Sequence, residues 1–212
     1  MKQKRIRKSQ GRPAGPNTGS IRRSILSAAE QLFAQKGYAA VSVKENADSV
    51  NVNPAMIHYY FGSKRRLLEQ VLEQALEPLA QAISSMKAAG NASVPHIVHL
   101  LLKTFSKHAY LPILVVREVL LPGGVMQRHF LAFLAPRLGG ALPELLSREQ
   151  AGGRLRKDVD PHIGALNLIS LCAFPFIARN LSEPALGISY DSAGLAKLEQ
   201  HITMLLSEGF SA

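Results

Sequence analysis

Val50–Lys64 reads VNVNPAMIHYYFGSK, and its turn signals split it into a short helix end, a tight turn and a second short helix. Asn53-Pro54 opens that second helix. Asparagine is a favoured N-cap, and proline suits the first helical position, where its missing N–H would have had no partner anyway. Asn51 tolerates the left-handed backbone that a tight turn demands. Ser63 is placed to cap the helix that follows. Ile57 and Phe61 lie four apart and are expected to face inward. His58, Tyr59 and Tyr60 are left facing outward or sideways. Two readings of the tyrosines stay open: both rings belong to the core, or the rings pack down while the hydroxyls donate to phosphate oxygens.

Working outward, Ile25, Ala29, Leu32 and Phe33 recur at spacings of three and four, which predicts a helix from Ile21. Gly37 stops it as a C-cap glycine. Val43, Ala47 and Val50 mark a short second helix. Two short helices joined by a tight turn and packed on a first form a helix-turn-helix unit, whose second helix enters the major groove of DNA. Asn53, Pro54, Ala55 and Met56 present small or flexible side chains where such a helix meets base edges. Lys64 opens the next helix, near free backbone N–H groups, and reads as a phosphate clamp.

The charge distribution agrees. Residues 1–66 carry 13 Lys/Arg against 3 Asp/Glu, whereas residues 67–212 carry 12 of each, so the whole formal excess of +10 lies in the first third. A cationic head and a neutral body point to a polyanionic partner for the head. Duplex DNA is the first reading and an anionic membrane surface the second. Residues 1–20 hold Lys2, Lys4, Arg5, Arg7, Lys8 and Arg12, with little apolar surface to bury, and read as a flexible arm. Within it Gly11-Arg12-Pro13 resembles the core of AT-hook peptides, which lie in narrow A·T minor grooves. The alternative is a solvated tail that adds non-specific charge.

The segments I21-R-R-S-I-L-S-A-A-E-Q-L-F-A-Q-K-G-Y38, V41-S-V-K and V52-N-P-A-M-I-H-Y-Y-F-G-S-K64 together resemble the DNA-binding domain of the TetR family of bacterial repressors, almost continuously over residues 21–68. The resemblance implies that Ser42, Lys44, Tyr59 and Lys64 hold phosphates, and that Asn53, Pro54, Ala55, Met56 and Tyr60 lie against the groove. It implies an N-terminal helix-turn-helix domain at 21–66. Residues 67–212 would be a helical body that binds a small effector and pairs with a second copy. Two positions depart from the pattern. Asn51 stands where the family has a turn glycine. Asn46 stands where it has an apolar residue, and is expected to find a backbone partner or the domain edge.

The body reads as all-α. Leu67, Leu68, Val71, Leu72, Ala75, Leu76, Leu79 and Ile83 form the stripe of a long fourth helix, with Pro78 expected to kink or restart it near Glu77 and Gly90 to end it. Helical patterns follow at about 94–109, 112–121, 124–151, 161–179 and 191–207. Ile163, Leu166, Ala173 and Ile177, then Leu195, Leu198, Ile202 and Leu205, give the last two long helices apolar stripes. They either pack on their own body or pair with a second copy as a four-helix bundle. Arg117 and Glu118 lie inside the apolar run LPILVVREVLL. They read as polar anchors of a pocket, or as one charged helix edge. Phe105, His108, His129, Phe130 and Phe133 are candidate pocket walls. Gly123-Gly124 reads as a loop.

Catalysis finds little support. No nucleophile motif, H-E-x-x-H or phosphate-binding glycine pattern occurs. The single cysteine, Cys172, excludes an internal disulfide framework and a cysteine-based zinc site, and no cofactor is expected. Neither a secretory signal nor a membrane span is expected, because no long apolar run occurs, and a reducing cytoplasm suits one cysteine. The expected function is a ligand-released repressor that binds a near-palindromic operator as a homodimer. A constitutive DNA-binding protein is the rival.

Overall fold

Thr18–Lys36 forms the first helix, α1, in a computed structural model that describes residues 18–90, 93–138 and 140–210. Ile25, Leu26, Ala29 and Phe33 form its buried face. Gly37 ends it with φ +85°, and its N–H donates to Phe33 O at 2.9 Å. The short α2, Val43–Ser49, starts where the Ser42 hydroxyl accepts from Glu45 N, and α3, Pro54–Phe61, starts where the Asn53 side chain accepts from Ala55 N. Between them Asn51 adopts φ 54°, the left-handed geometry read from the sequence. Ile57 and Phe61 are buried against the same small core, beside Val41 and Ala47.

Ser63 caps α4, Lys64–Ala89, a single 26-residue helix that runs from the head into the body. Pro78 neither ends nor restarts it, contrary to expectation. Pro78 and Gln74 are both exposed, so water can take the carbonyl that the missing N–H leaves free. The arm boundary also shifts, because helix begins at Thr18 rather than Ile21.

The body continues with α5, Val94–Lys107, and α6, Leu111–Val115, which widens directly into a π-helical turn, Val116–Leu120. The stretch expected at 124–151 is broken. It comprises α7, Gln127–His129, a second π-helical turn, Phe130–Leu134, α8, Ala135–Leu138, and α9, Ala141–Ala151. Then follow α10, Pro161–Ile177, α11, Arg179–Leu186, and α12, Ser192–Phe210. The helices α4, α5 and α10 pack in series, with α9 and α12 against their flanks and α1 against α4. One continuous core runs from Ile25 in the head to Leu206 near the C-terminus. Among the described residues there is no strand, and no single helix is long and apolar enough to cross a membrane. The fold is all-α, as the periodicity predicts.

Candidate nucleic-acid interface and its link to the body

Asn53, Ala55, His58 and Tyr59 are exposed along α3, with Pro54 and Met56 partly so. Tyr59 is 76% exposed, which removes it from the core and leaves a large amphipathic side chain facing solvent at the end of the helix. Tyr60 behaves differently. Its ring packs edge-on against Tyr59 and Phe61, at 5.1 and 6.1 Å between centroids, and its hydroxyl is enclosed with no hydrogen-bond partner. The reading in which Tyr60 donates to phosphate is therefore corrected: one residue further round the helix turns it towards Phe61.

Ser42 and Lys44 are exposed at the start of α2. The Lys36 ammonium lies 2.5 Å from Glu45, tying the end of α1 to α2. That hydrogen bond from Lys36 holds the Glu45 carboxyl below the usual carboxylate range. Lys64 is half-buried, and its Nζ donates to Tyr38 O and to Val41 O, each at 2.7 Å, while lying 4.2 Å from the centre of the Tyr38 ring. Its ammonium thus braces the loop between α1 and α2 and keeps one N–H for another partner. Arg12 and the rest of the basic arm lie outside the described residues.

Asn46 did not find the partner expected of it. It is 1% exposed, and neither atom of its amide makes a hydrogen bond. Its helical position turns it inward beside the buried Ala47.

Sequence reasoning misassigned the Arg117–Glu118 pair. Arg117 Nη1 donates to Ala34 O at 3.1 Å and Gln35 O at 2.8 Å, and Glu118 Oε1 accepts from Tyr38 N at 2.8 Å. Both side chains grip the end of α1 and the loop after it rather than a pocket. Two of the candidate pocket walls are similarly engaged with other elements. His108 Nδ1 lies 2.9 Å from the Glu30 carboxylate of α1, and Phe105 stacks edge-on against Phe176. His129 lies 3.4 Å from Glu73 and 4.0 Å from Glu69 on α4, with the exposed Phe133 ring 5.0 Å from its own. Phe130 is half-buried beside it. The seven candidates therefore fall into three places: Arg117, Glu118 and His108 against α1 or the loop after it, Phe105 against Phe176, and His129, Phe130 and Phe133 beside α4. Phe133 lines an open groove of about 650 Å³ between α4 and α8 that also involves Glu73, Glu77 and Arg137. A second groove of about 420 Å³ adjoins it along α4 and shares Glu77, Pro136 and Arg137.

Glu69 connects these elements. Burial pushes its carboxyl up, but hydrogen bonds from Arg66 and Arg65 and the charges of His129 and Arg66 outweigh that, leaving it below the usual range. Burial and the nearby Glu199 carboxylate push the Cys172 thiol up to about 12, so it stays neutral and unreactive at pH 7. No group of three or more His, Cys, Asp or Glu among the described residues could hold a metal ion.

On α10, Ile163 and Leu166 are 60% and 62% exposed, and Phe174 on the same face is 64% exposed. Leu205 on α12 is also exposed, whereas Ile202 is buried within its own chain. The α12 stripe is thus divided between an inner and an outer role. Ala173, Ile177, Leu195 and Leu198 are half-buried between the two.

Residues 25–71 match the family model for bacterial regulatory proteins of the tetR family. The HTH-type transcriptional repressor NicS of Pseudomonas putida is 27% identical over 157 residues, which cover 72% of this chain and 74% of NicS. Among solved structures, the ketosteroid transcriptional regulator KstR2 of Mycobacterium tuberculosis superposes with a TM-score of 0.71 at 15% identity, over 95% of this chain and all of that one. The transcriptional regulator FadR of Bacillus subtilis, solved in complex with stearoyl-CoA, gives 0.66 at 15% identity, over 88% and 98% of the two chains. These relatives are transcriptional regulators, not enzymes.

Proposed function

We propose, for a chain that is a transcriptional regulator of the tetR family, that it represses by binding a near-palindromic operator as a homodimer and lets go when a small, partly apolar effector occupies the body. The observation that carries the reading is the capped pair α2 and α3, seated on Ile57 and Phe61 with Asn53, Ala55 and Tyr59 outward. In this reading Ser42, Lys44, Tyr59 and the remaining N–H of Lys64 meet phosphates, while Asn53, Pro54, Ala55, Met56 and the ring edge of Tyr60 lie against the groove. Arg12 reaches an adjacent minor groove. The protein works in the cytoplasm. NicS is named a repressor and FadR was solved with an acyl-CoA, which supports repression and an apolar effector here. The grooves along α4 are the effector's approach, with Phe133 its apolar wall. Because α4 starts at the DNA edge and ends in the body, an effector that favours one setting of α4 changes the spacing of the two heads.

The test is selection of bound duplexes from random DNA, followed by sedimentation of the complex. Enrichment of an inverted repeat bound by two chains is expected, with half-sites about 34–36 Å apart or a multiple. One chain per asymmetric site would overturn the dimeric reading. A broad panel of acyl-CoA esters and small cations that shifts neither DNA affinity nor melting temperature would favour constitutive binding.

A further inference from the structure

Several hydrogen bonds hold the head to the body, and two adjacent body residues, Arg117 and Glu118, supply three of them. Tyr38 gives its N–H to the Glu118 carboxylate at 2.8 Å and takes the Lys64 ammonium on its carbonyl at 2.7 Å. Beside it, Arg117 donates to the carbonyls of Ala34 and Gln35. These carbonyls belong to the last turn of α1, where a helix has no partners of its own and where a cation is favoured. The fit is close: a Cβ at Gly37 would lie 2.9 Å from the Arg117 guanidinium. On the body side Glu118 is 6% exposed, and its own carbonyl accepts from Met126 N at 2.8 Å. Gly124 presses against that same carbonyl, and a Cβ there would lie 2.5 Å from it. The π-helical turn is therefore fixed behind the two side chains that reach forward. The described loop between α1 and α2 carries Val41, whose carbonyl shares Lys64, and leads directly into Ser42 and Lys44.

We infer that Arg117 and Glu118 are positioning residues for DNA binding. They clamp the end of α1 and Tyr38, and so fix the pose in which the head presents Ser42, Lys44 and α3. This route runs from the π-helical turn to Tyr38, where it meets Lys64, the first residue of α4. Neither side chain touches the DNA edge itself. A loosened clamp leaves the contacts available but the competent pose less populated, and apparent affinity falls by that fraction. The inference rests on the DNA-binding reading.

The experiment uses the full chain and a mixed-sequence duplex about three helical turns long, with affinities compared at low salt and then followed over a salt series. Glu118→Ala is expected to weaken binding at least about fivefold, the lower end of ordinary coupling between sites, at a temperature where circular dichroism shows it folded. Its salt slope should match wild type, because no phosphate contact is lost. Glu118→Gln keeps an oxygen that accepts from Tyr38 N–H and should restore most of the affinity. Arg117→Gln should weaken binding without changing the slope, and its effect should combine with that of Glu118→Ala less than multiplicatively. By reciprocity, duplex must slow deuterium exchange at the Tyr38 amide in the unaltered protein, a readout available even if Glu118→Ala does not fold. An indifferent Glu118→Ala whose Tyr38 amide exchanges faster overturns the clamp. So does a Tyr38 amide whose exchange is unmoved by duplex. Unaltered protein that binds no duplex at low salt overturns the DNA-binding reading, and the clamp falls with it.

Discussion

Lys64 is bonded to Tyr38 twice over, through an ammonium 2.7 Å from its carbonyl oxygen and 4.2 Å from the centre of its ring. A residue expected as a phosphate clamp is therefore also a brace of the head. The two roles are separable by salt. Lys64→Ala should weaken binding to all duplexes alike and lower the salt slope by about 1 per chain if the remaining N–H meets a phosphate. It should also lower the melting temperature, because two loop carbonyls lose their donor. Loss of stability with an unchanged slope at full affinity would leave only the brace.

Asn46 offers a gain in stability. Its buried amide has both atoms unpaired, a desolvation cost of roughly 1–3 kcal/mol. Asn46→Leu, which keeps the branching at Cγ and puts two methyl groups in place of the amide atoms, should raise the urea midpoint with the slope of the transition unchanged. A lower midpoint would mean that the amide is satisfied in solution by bound water.

These two residues also mark how far the sequence is legible. Asn53-Pro54 and Ser63 open their helices as read, and Asn51 takes the left-handed turn, because caps and turns are decided by neighbours a few positions away. The stripe of α4 was equally plain from its spacing. What sequence reading missed is long-range and polar. Arg117 and Gln35 are 82 positions apart, and an apolar run around Arg117 says only that its helix is half-buried. A pocket anchor and a clamp on another helix share that signature. His108 and Glu30, 78 positions apart, are hidden for the same reason. Phe174 was within reach, since it continues the face of Ile163 and Leu166 in helical phase.

Acid should loosen the junction between α4 and the body at Glu69. Its folded-state carboxyl titrates below the usual range, so its stabilising contribution is present above the ordinary carboxylate pKa and is lost as pH falls through the lowered one. Urea unfolding between about pH 6 and pH 3 should show stability falling with pH, and Glu69→Gln should reduce that dependence. A variant whose pH profile overlays the unaltered protein would show that Arg65 and Arg66 do not hold Glu69 in solution.

The last prediction concerns the exposed side of α10. This helix is apolar on nearly every face. Gly164, Ala165, Leu168, Cys172 and Phe176 fill the inner side, while Ile163, Leu166 and Phe174 stand more than half exposed on the outer. A helix hydrophobic all round requires cover on all sides. Met204 and Leu205 of α12 add further exposed apolar surface. A second copy that brings the same two helices would complete a four-helix bundle, the arrangement a two-fold operator calls for. Leu166→Glu combined with Phe174→Glu should convert a sedimenting dimer to a folded monomer and abolish binding to the inverted repeat. Ile202→Ala is the control. Its side chain is buried within its own chain, so it should lower the stability of the fold by roughly 2–5 kcal/mol while the folded protein still pairs. If unaltered protein sediments as a monomer at micromolar concentration, or if the charged pair leaves the dimer intact, the outer face of α10 is not where two copies meet.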